Sequence, residues 1–304
     1  SCGISNVAGH EGEVCITDLA NVSQSYTETT QADFNLGTLT DVVATSAGNL
    51  ELKQDKFIDA CTTITGWTAG GEGTPASDGS SFYASAYGTG TDFHGPSLTK
   101  SLGLTANDIT CVFDVTWLND VLAALGTLKI SLLDASNNEA AYINFRDGWA
   151  ATLNTQLVAY AGGALIFDSA ASTTYNNYSG TLKLVRSGST WTFYSGSTLL
   201  GTLTGGTTTA ITQVRLLFQQ YSTYAAVTTM KVNDINITTP YKTIGTREKI
   251  VDLSGTIPAG GTLISWVKTT PTNTTLTVET ALSTDGGSIY TNYAAATSGS
   301  AIPG

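Results

Sequence analysis

Positive charge is scarce in this sequence. Its 304 residues include 13 lysines and arginines against 24 aspartates and glutamates, a formal net charge of -11. No basic stripe remains to neutralise phosphate groups, so we expect neither nucleic acid nor an anionic membrane as a partner. Charged residues of both signs make up only 12% of the chain. The abundance of Thr, Ser and Gly favours strands and turns over helices, which predicts an all-β protein.

Long apolar runs and a leader pattern are also missing. No run approaches the roughly 18 apolar residues that a membrane-spanning helix needs, and no signal-peptide pattern opens the chain. We therefore expect no membrane insertion. Met230 is the one methionine, so a chain that begins at Ser1 is expected to be a processed product or part of a longer one. Virion maturation and export both fit, and we expect a virion or extracellular location.

The carboxylate pairs of glycoside hydrolases are not evident. A retaining glycosidase needs two carboxyl groups about 5 Å apart, one as nucleophile and one as acid/base. Between residues 57 and 240 the only glutamates are Glu72, in a glycine-rich stretch, and Glu139, beside a turn. Asp114 and Asp234 fall on predicted strands without a carboxylate at the required spacing. We therefore expect no enzyme, and glycoside hydrolysis is the least favoured function.

Cysteine is rare as well, with only four residues in the N-terminal part of the chain: Cys2, Cys15, Cys61 and Cys111. Three pairings are open if all four are oxidised, as the medium around a virion or secreted particle allows. We favour Cys2 with Cys15, which closes a short glycine-rich loop, and Cys61 with Cys111, which ties two apolar strands together. Buried free thiols are an equally weighted alternative.

The strongest positive signal is the stretch from Thr181 to Leu203. Apolar and polar residues alternate in two runs, and a Ser-Gly-Ser break follows each run. Alternation with period two lets a strand bury one face, and glycine permits the tight turns of hairpins. The stretch therefore predicts a β-meander, which other strands must cover.

This meander resembles that of the concanavalin A-like lectin/glucanase superfamily (LamG-type), whose members often read L-x-L-x-R-x-G-x-x-W-x-F-Y-x-G. The matching residues are Leu182, Leu184, Arg186, Gly188, Trp191, Phe193, Tyr194 and Gly196. The resemblance extends over residues 57–240, except for the loops between Gly66 and Gly95, which are too irregular to match, and it implies a two-sheet jelly roll. It implies almost nothing about chemistry, because this superfold hosts many functions.

The composition and the strand pattern divide the chain into three segments. Residues 55–240 carry the regular strand pattern, residues 1–54 look like an arm, and residues 241–304 hold four short predicted strands between Gly/Pro-rich turns. These strands are Ile250 to Leu253, Leu263 to Val267, Leu276 to Leu282 and Ile289 to Tyr293. We predict an all-β, two-sheet antiparallel jelly-roll sandwich with an N-terminal β arm and a small C-terminal β-sandwich module. Segments this small bury too little surface to be stable alone. We therefore expect the arm or the C-terminal module to dock onto another copy of the chain or another virion protein.

Short sequence motifs in both terminal segments resemble those in modules of tailed-phage tail and adhesion proteins. These motifs are residues 32–34, 37–39, 277–280, 283–287 and 301–303. Three modules in this order resemble virion structural proteins more than secreted enzymes.

Sugar binding would use exposed aromatic rings as stacking platforms. Trp149 directly follows the turn Asp147-Gly148, where a large ring is less obliged to be buried, so it is the first candidate. The other carbohydrate-binding candidates are Tyr142, Tyr160, Tyr175 and Tyr178. Three further tryptophans are assigned to the core: Trp67, Trp117 and Trp191.

One polar turn offers oxygen atoms of the kind that calcium accepts. Its residues are Asp134, Asn137, Asn138 and Glu139. A solvated turn with internal hydrogen bonds is the preferred interpretation, and calcium is the alternative. No other cofactor is expected.

Together these features predict a non-enzymatic structural or adhesion protein of a virion, in a tail, a fibre or a capsid decoration. Its lectin-like jelly roll would bind glycan on the host surface. The alternative is a secreted microbial glycan-binding or filament-forming surface protein. An image of the purified assembly separates the two, since a tail or capsid favours the first and a bare polymer the second.

Overall fold

The computed structural model describes residues 27–88, 92–118, 126–147, 154–221, 229–251, 263–268, 275–283 and 285–303. They form two compact units. The larger unit comprises residues 41–43 and 52–245, and the smaller unit gathers the described parts of residues 1–40, 44–51 and 246–304. Both predicted terminal segments thus contribute to the smaller unit, while the predicted boundaries after residues 54 and 240 stay predictions. Among the described residues, no helix has both the length and the apolarity that crossing a membrane requires.

Almost every regular element is a strand. The first strands in chain order are β1 (Thr38–Thr40), β2 (Val42–Ala44), β3 (Leu50–Leu52), β4 (Gln54–Asp59), β5 (Thr68–Gly71), β6 (Gly73–Ser77), β7 (Phe82–Tyr87), β8 (Phe93–His94), β9 (Pro96–Ala106), β10 (Ile109–Leu118), β11 (Gly126–Leu133) and β12 (Glu139–Asp147). The later strands are β13 (Thr155–Ala161), β14 (Ala164–Asp168), β15 (Asn177–Ser187), β16 (Thr190–Ser195), β17 (Thr198–Leu203), β18 (Ile211–Tyr221), β19 (Thr229–Tyr241), β20 (Thr246–Glu248), β21 (Leu263–Ile264), β22 (Glu279–Thr280), β23 (Ala294–Ala295) and β24 (Ser300–Ala301). The helices are α1 (Gln31–Asn35) and a 3-10 turn, Thr173–Tyr175.

The larger unit consists of two eight-stranded antiparallel sheets. Sheet I has the order β17-β16-β15-β10-β19-β7-β6, and β4 also pairs with β19. Sheet II has the order β14-β13-β12-β11-β18-β9-β5, and β8 also pairs with β18. The predicted meander forms β15, β16 and β17, and the polar turn at residues 134–138 joins β11 to β12. The predicted all-β, two-sheet antiparallel jelly-roll sandwich is confirmed.

Alternation along the strands decides which side chains fill the space between the sheets. On β10 every second residue from Ile109 to Trp117 is buried, and the residues between them are half-buried. Opposite them, Phe145 on β12 and Phe218 on β18 are fully buried. The predicted core positions of Trp67, Trp117 and Trp191 are confirmed.

Arg186, from the predicted meander, is 1% exposed. Its Nη1 and Nη2 donate to the carbonyl oxygens of Thr209 (2.5 Å) and Ala106 (2.7 Å). Its guanidinium carbon lies 5.2 Å from the ring centre of Trp191. Because Ala106 ends β9 of sheet II and Arg186 lies on β15 of sheet I, this arginine joins the two sheets at one end.

The edge strands β17 and β14 also approach each other closely, and glycine makes this possible. A Cβ atom at Gly201 on β17 would overlap the carbonyl oxygen of Ile166 on β14. Any larger residue would therefore push the two sheets apart at this edge.

The predicted disulfide between Cys61 and Cys111 is wrong, because both residues are buried free thiols. Cys111 on β10 pairs with Ile237 on one side of β19. Cys61 follows β4, whose Asp59 pairs with Ile235 on the other side of β19. Two strand spacings, about 10 Å, therefore separate the two chain segments, whereas a disulfide needs Cα atoms within about 7 Å.

The alternative of buried free thiols holds for this pair. Burial is the main cause that raises the pKa of both thiols, so they stay protonated core side chains. The other predicted pair, Cys2 and Cys15, lies outside the described residues.

In the smaller unit, the described part of the predicted β arm contains a helix, α1, as well as short strands. The hydroxyl of Thr30 accepts from the backbone N–H of Asp33, and the Asp33 carboxylate accepts from the backbone N–H of Thr30. This capping box satisfies the first N–H groups of a helix. Strand β1 then pairs with β20, and Arg247 on β20 holds the Glu28 carboxylate with two bonds of 2.8 and 2.6 Å.

The C-terminal strands are shorter than the sequence predicts. Strands β21 to β24 have two residues each, in the pairs β21–β24 and β22–β23, and the apolar run Ile289–Tyr293 forms no strand. Isolated two-stranded pairs are marginal in water, because they bury little apolar surface. Val267 is 99% exposed and Ile289 is 73% exposed, so their side chains do not stabilise longer strands within the described part of this unit.

Candidate functional site

Two of the predicted sugar-binding tyrosines meet on the solvent side of sheet II, which we call face II. Tyr142 on β12 and Tyr160 on β13 alternate with buried residues and therefore point away from the core. The two residues are register partners, and their rings stack with centres 5.1 Å apart and planes 19° apart. Parallel stacking of this kind stabilises an aromatic pair beyond its buried area.

The tyrosine pair belongs to a row that crosses five strands of face II. In register, the row runs Arg215, Ser131, Tyr142, Tyr160 and Leu165. The ammonium group of Lys129 lies 4.1 Å from the ring centre of Tyr142, on the β11 side, while Tyr160 stacks from the β13 side. Tyr142 is thus held between a cation and a second ring.

Glu139 organises the charges beside this row. Its Oε2 accepts from Lys129 (2.7 Å), and its Oε1 accepts from Ser131 (2.8 Å) and Arg215 (2.8 Å). Burial raises the pKa of Glu139, but the hydrogen bonds from Lys129 and Ser131 outweigh it, so the pKa lies below its ordinary value. Glu139 is therefore ionised at neutral pH and fixes the position of Lys129 over Tyr142.

The hydroxyl of Tyr142 stays a hydrogen-bond donor at neutral pH. Burial raises its pKa, and the neighbouring Tyr160 and the negative Glu139 raise it further, while Arg146 acts in the opposite direction. A phenol with a raised pKa does not ionise near neutrality.

A second, polar row lies further along the same face. Arg146 Nε donates to Gln156 Oε1 (2.6 Å), and Gln156 Nε2 donates to Asp168 Oδ1 (2.7 Å). Asp168 Oδ1 also accepts from the backbone N–H of Ala170 (2.8 Å). Face II therefore combines an aromatic row with side chains that offer both donors and acceptors.

The other two predicted tyrosines lie elsewhere. Tyr178 shares the register of Trp117 on the inner side of sheet I, and its ring lies 5.5 Å from that of Phe145. Its hydroxyl donates to the carbonyl oxygen of Thr181 (2.9 Å) and lies 3.0 Å from Ser195 Oγ. Tyr175 packs beside it at 6.0 Å. These two rings join the core at one end of the sandwich, and a sugar-binding role for them stays a prediction.

Trp149, the first candidate from the sequence, lies outside the described residues. The structure therefore adds nothing to its predicted role.

The polar turn considered for calcium is held by its own hydrogen bonds. Asp134 Oδ1 accepts from the backbone N–H groups of Ser136 (2.8 Å) and Asn138 (2.9 Å), and its Oδ2 accepts from Asn138 Nδ2 (3.0 Å). Glu139 is engaged by the cations of face II instead. Within the described part of the chain, no group of three His, Cys, Asp or Glu residues has the arrangement of a metal site.

The solvent side of sheet I, which we call face I, holds a carboxylate pair that the sequence reasoning missed. Asp114 on β10 is the register partner of Asp234 on β19, next to a β-bulge. Burial raises the pKa of Asp234, and the negative charges of Asp114 and Asp59 raise it further. The 120-residue separation hides this pairing, because only the strand register reveals it.

The two glutamates of the sandwich are far apart. Glu72 follows β5 at one edge of sheet II, where its carboxylate pairs with His94 Nδ1 at 2.5 Å. Glu139 lies on β12, and strands β9, β18 and β11 separate it from β5. At about 4.8 Å per strand these carboxylates are well beyond the spacing of a retaining glycosidase.

Face I also offers a close counterpart to the tyrosine of face II. Lys183 on β15 lies 4.1 Å from the ring centre of Tyr194 on β16, the same distance as between Lys129 and Tyr142. The difference is a second ring: Tyr160 stacks on Tyr142, whereas no ring pair among the described residues includes Tyr194.

No protein-family model and no curated protein match this sequence. Among solved structures, the CBM2 module of the evolved Dit of Lactobacillus casei BL23 phage J-1 is 17% identical, with a TM-score of 0.45 over 62% of this chain and 97% of the module. Bacillus licheniformis β-glucanase is 11% identical, with a TM-score of 0.39 over 60% of this chain and 97% of the enzyme. The carbohydrate recognition domain of Emp47p is 7% identical, with a TM-score of 0.42 over 60% of this chain and 94% of the domain. Scores below 0.5 carry no argument about what this chain does.

Proposed function

We propose that this chain is a non-enzymatic structural or adhesion protein of a virion whose sandwich binds surface glycan through face II. The observation that carries the glycan-binding part is the stacked pair of Tyr142 and Tyr160 on a solvent-facing sheet surface. A sugar presents a flat apolar side that packs on an aromatic ring, and its hydroxyl groups need donors and acceptors around that ring.

The ring available to the ligand is that of Tyr160. Tyr142 has Lys129 on one side and Tyr160 on the other, whereas the far side of Tyr160 faces Leu165, which is 47% exposed. Fixed side chains lose little conformational entropy when a ligand binds. The network of Glu139, Lys129 and Tyr142 therefore supports Tyr160 as a rigid platform.

The absence of catalysis is part of the proposal. Glu139 has a lowered pKa and accepts from two cations, which makes it a poor general acid. Among the described residues, the pairing of Asp234 with Asp114, together with the raised pKa of Asp234, favours hydrolysis as a second candidate. Release of reducing ends from a bound glycan, abolished by Asp114→Asn or Asp234→Asn, would make the protein a hydrolase.

Membership of a larger assembly is supported by the smaller unit. Several of its apolar side chains are exposed, among them Val267, Ile289 and Leu263. Exposed apolar surface of this kind marks sites of association. The arm strand β1 already pairs with β20 of its own chain, so we expect the C-terminal residues rather than β1 to contact neighbouring proteins. The alternative, a secreted glycan-binding or filament-forming protein, shares this requirement and is separated by imaging the native assembly.

A glycan array followed by calorimetry tests the glycan-binding proposal. We expect Tyr160→Ala to weaken binding of the best glycan about tenfold or more, the scale of a central interface aromatic. Tyr160→Phe keeps the ring and should retain most of the affinity. Tyr194→Ala on face I is the matched control and should bind like the unaltered protein. Equal losses for Tyr160→Ala and Tyr194→Ala, or none for either, would contradict a site on face II.

A further inference from the structure

Among the described residues, one arginine of face II has no anionic partner. Lys129 and Arg215 both form ion pairs with Glu139, at 2.7 and 2.8 Å. Arg146 is exposed on β12 and, within the part of the chain that the structure describes, forms no ion pair. An arginine that is ordered but not neutralised is a natural binding point for an anion.

Arg146 is nevertheless held in place. Its Nε donates to Gln156, and Gln156 is in turn held by Asp168, whose position is fixed by the N–H of Ala170. With Nε engaged, the edge formed by Nη1 and Nη2 remains for a ligand. Two parallel N–H donors on that edge match the two oxygens of a carboxylate.

The local charge also differs from that of the whole chain. The described residues of face II include three cations, Lys129, Arg146 and Arg215, against the two carboxylates of Glu139 and Asp168, while the chain as a whole has a net charge of -11. The positive charge of Arg146 is felt at Tyr142, where it opposes the effects of burial, Tyr160 and Glu139. The aromatic row and Arg146 therefore belong to one electrostatic neighbourhood.

We propose that the ligand of face II is an acidic oligosaccharide, in which one sugar ring packs on Tyr160 and the carboxylate of a nearby sugar is bound by the Nη edge of Arg146. This inference rests on the proposed glycan-binding function. Arg146 follows Tyr142 by four residues on β12, about 13 Å along the strand. A ligand that reaches both groups therefore contains more than one sugar.

The test uses matched pairs of ligands. Oligogalacturonate, oligomannuronate and hyaluronan oligosaccharides are each titrated against the protein by calorimetry, beside their carboxyl methyl esters. We expect at least one acid form to bind, and its ester to bind about tenfold more weakly, the scale of a charge-assisted bidentate contact. Arg146→Gln should weaken binding of the acid about tenfold and bind acid and ester alike. Lys183→Gln, which removes a cation from face I, should change neither affinity.

The outcomes separate this inference from the function on which it rests. If no acid form binds, if acid and ester bind equally, or if Arg146→Gln binds the acid like the unaltered protein, the acidic-ligand inference is overturned. A loss of binding in Tyr160→Ala would still support glycan binding on face II in those cases. If Tyr160→Ala has no effect on any bound glycan, both proposals fail. Thermal melting of each variant checks that it remains folded.

Discussion

Phe193 in sheet I and Phe145 in sheet II point into the same core, yet the outer faces of the two sheets differ in kind. Face II has stacked rings, three cations and two carboxylates, and its charges are paired or anchored. Face I has isolated rings, Tyr194 under Lys183 and Tyr83 under Lys231, and a carboxylate pair, Asp114 beside Asp234. The inner faces thus make the fold, and the outer faces decide what each sheet can bind.

The largest expected effect tests whether the inward-facing side chains of both sheets stabilise the same core. Phe145→Ala and Phe193→Ala should each lower the free energy of unfolding by about 3–5 kcal/mol, because each removes a fully buried ring and leaves a cavity. The outward neighbour Thr192→Ala should change it by less than about 0.5 kcal/mol. Chemical denaturation measures all three variants. Similar losses for inward and outward substitutions would refute the assignment of faces.

A smaller effect is expected from the charges of face II. Glu139→Gln replaces an ionised acceptor of three hydrogen bonds, so we expect a loss of about 1–2 kcal/mol at pH 7 after allowance for partial exposure. The folded-state pKa of Glu139 is lowered, so its stabilisation is present above the unfolded pKa of about 4.3 and lost as the pH falls through the folded value. Denaturation of both proteins between pH 7 and pH 3 should show the difference shrinking. A difference that is constant with pH would show that the carboxylate charge is not responsible.

The smallest expected change in the free energy of unfolding comes from face I, and it is a gain rather than a loss. The folded-state pKa of Asp234 is raised, so stability is highest below its unfolded pKa of about 3.9 and falls as the pH rises through the folded value. Asp234→Asn should therefore stabilise the protein at pH 7 by roughly 0.2–1 kcal/mol, the range for like charges on neighbouring strands. The gain should vanish in acid. A destabilised Asp234→Asn protein at pH 7 would mean that the ionised carboxylate has a favourable partner.

The sandwich itself was predictable, because its signal is local. The alternation from Ile109 to Trp117 and the Gly-Ser turns around Trp191 specify strands and buried faces without knowledge of what lies opposite. The C-terminal strands were predicted too long for the same reason. Alternation marks residues that could form a strand, but only a partner strand and a covered face stabilise one.

The site was only partly predictable, because it depends on register between distant segments. Tyr142 and Tyr160, both predicted to bind sugar, lie on consecutive paired strands. Tyr178 was predicted to bind sugar as well, but its side chain points inward because of its pairing with Trp117, which the local sequence does not show. The contact between Asp114 and Asp234 depends on the pairing of β10 with β19. The sequence analysis did not include Arg146 among the ligand-binding candidates. Its position four residues after Tyr142 on the same strand, which places both side chains on one face, could have identified it.

The wrong prediction of a disulfide between Cys61 and Cys111 also arose because strand order between distant segments is not visible in the sequence. Both cysteines flank apolar strand residues, which is true of core thiols and of disulfides alike. Strand β19 lies between β10 and β4 and keeps the two cysteines apart. No local sequence pattern reveals this strand order.

The central claim, that glycan binds face II and not face I, is tested most directly by backbone amide chemical shifts recorded during a titration with the best glycan of the array. We predict that the largest changes cluster on β12, β13 and β14, around Tyr142, Tyr160 and Arg146. The amides of β15 and β16 around Lys183 and Tyr194 should not move. Changes centred on face I, or spread evenly over both sheets, would contradict the account.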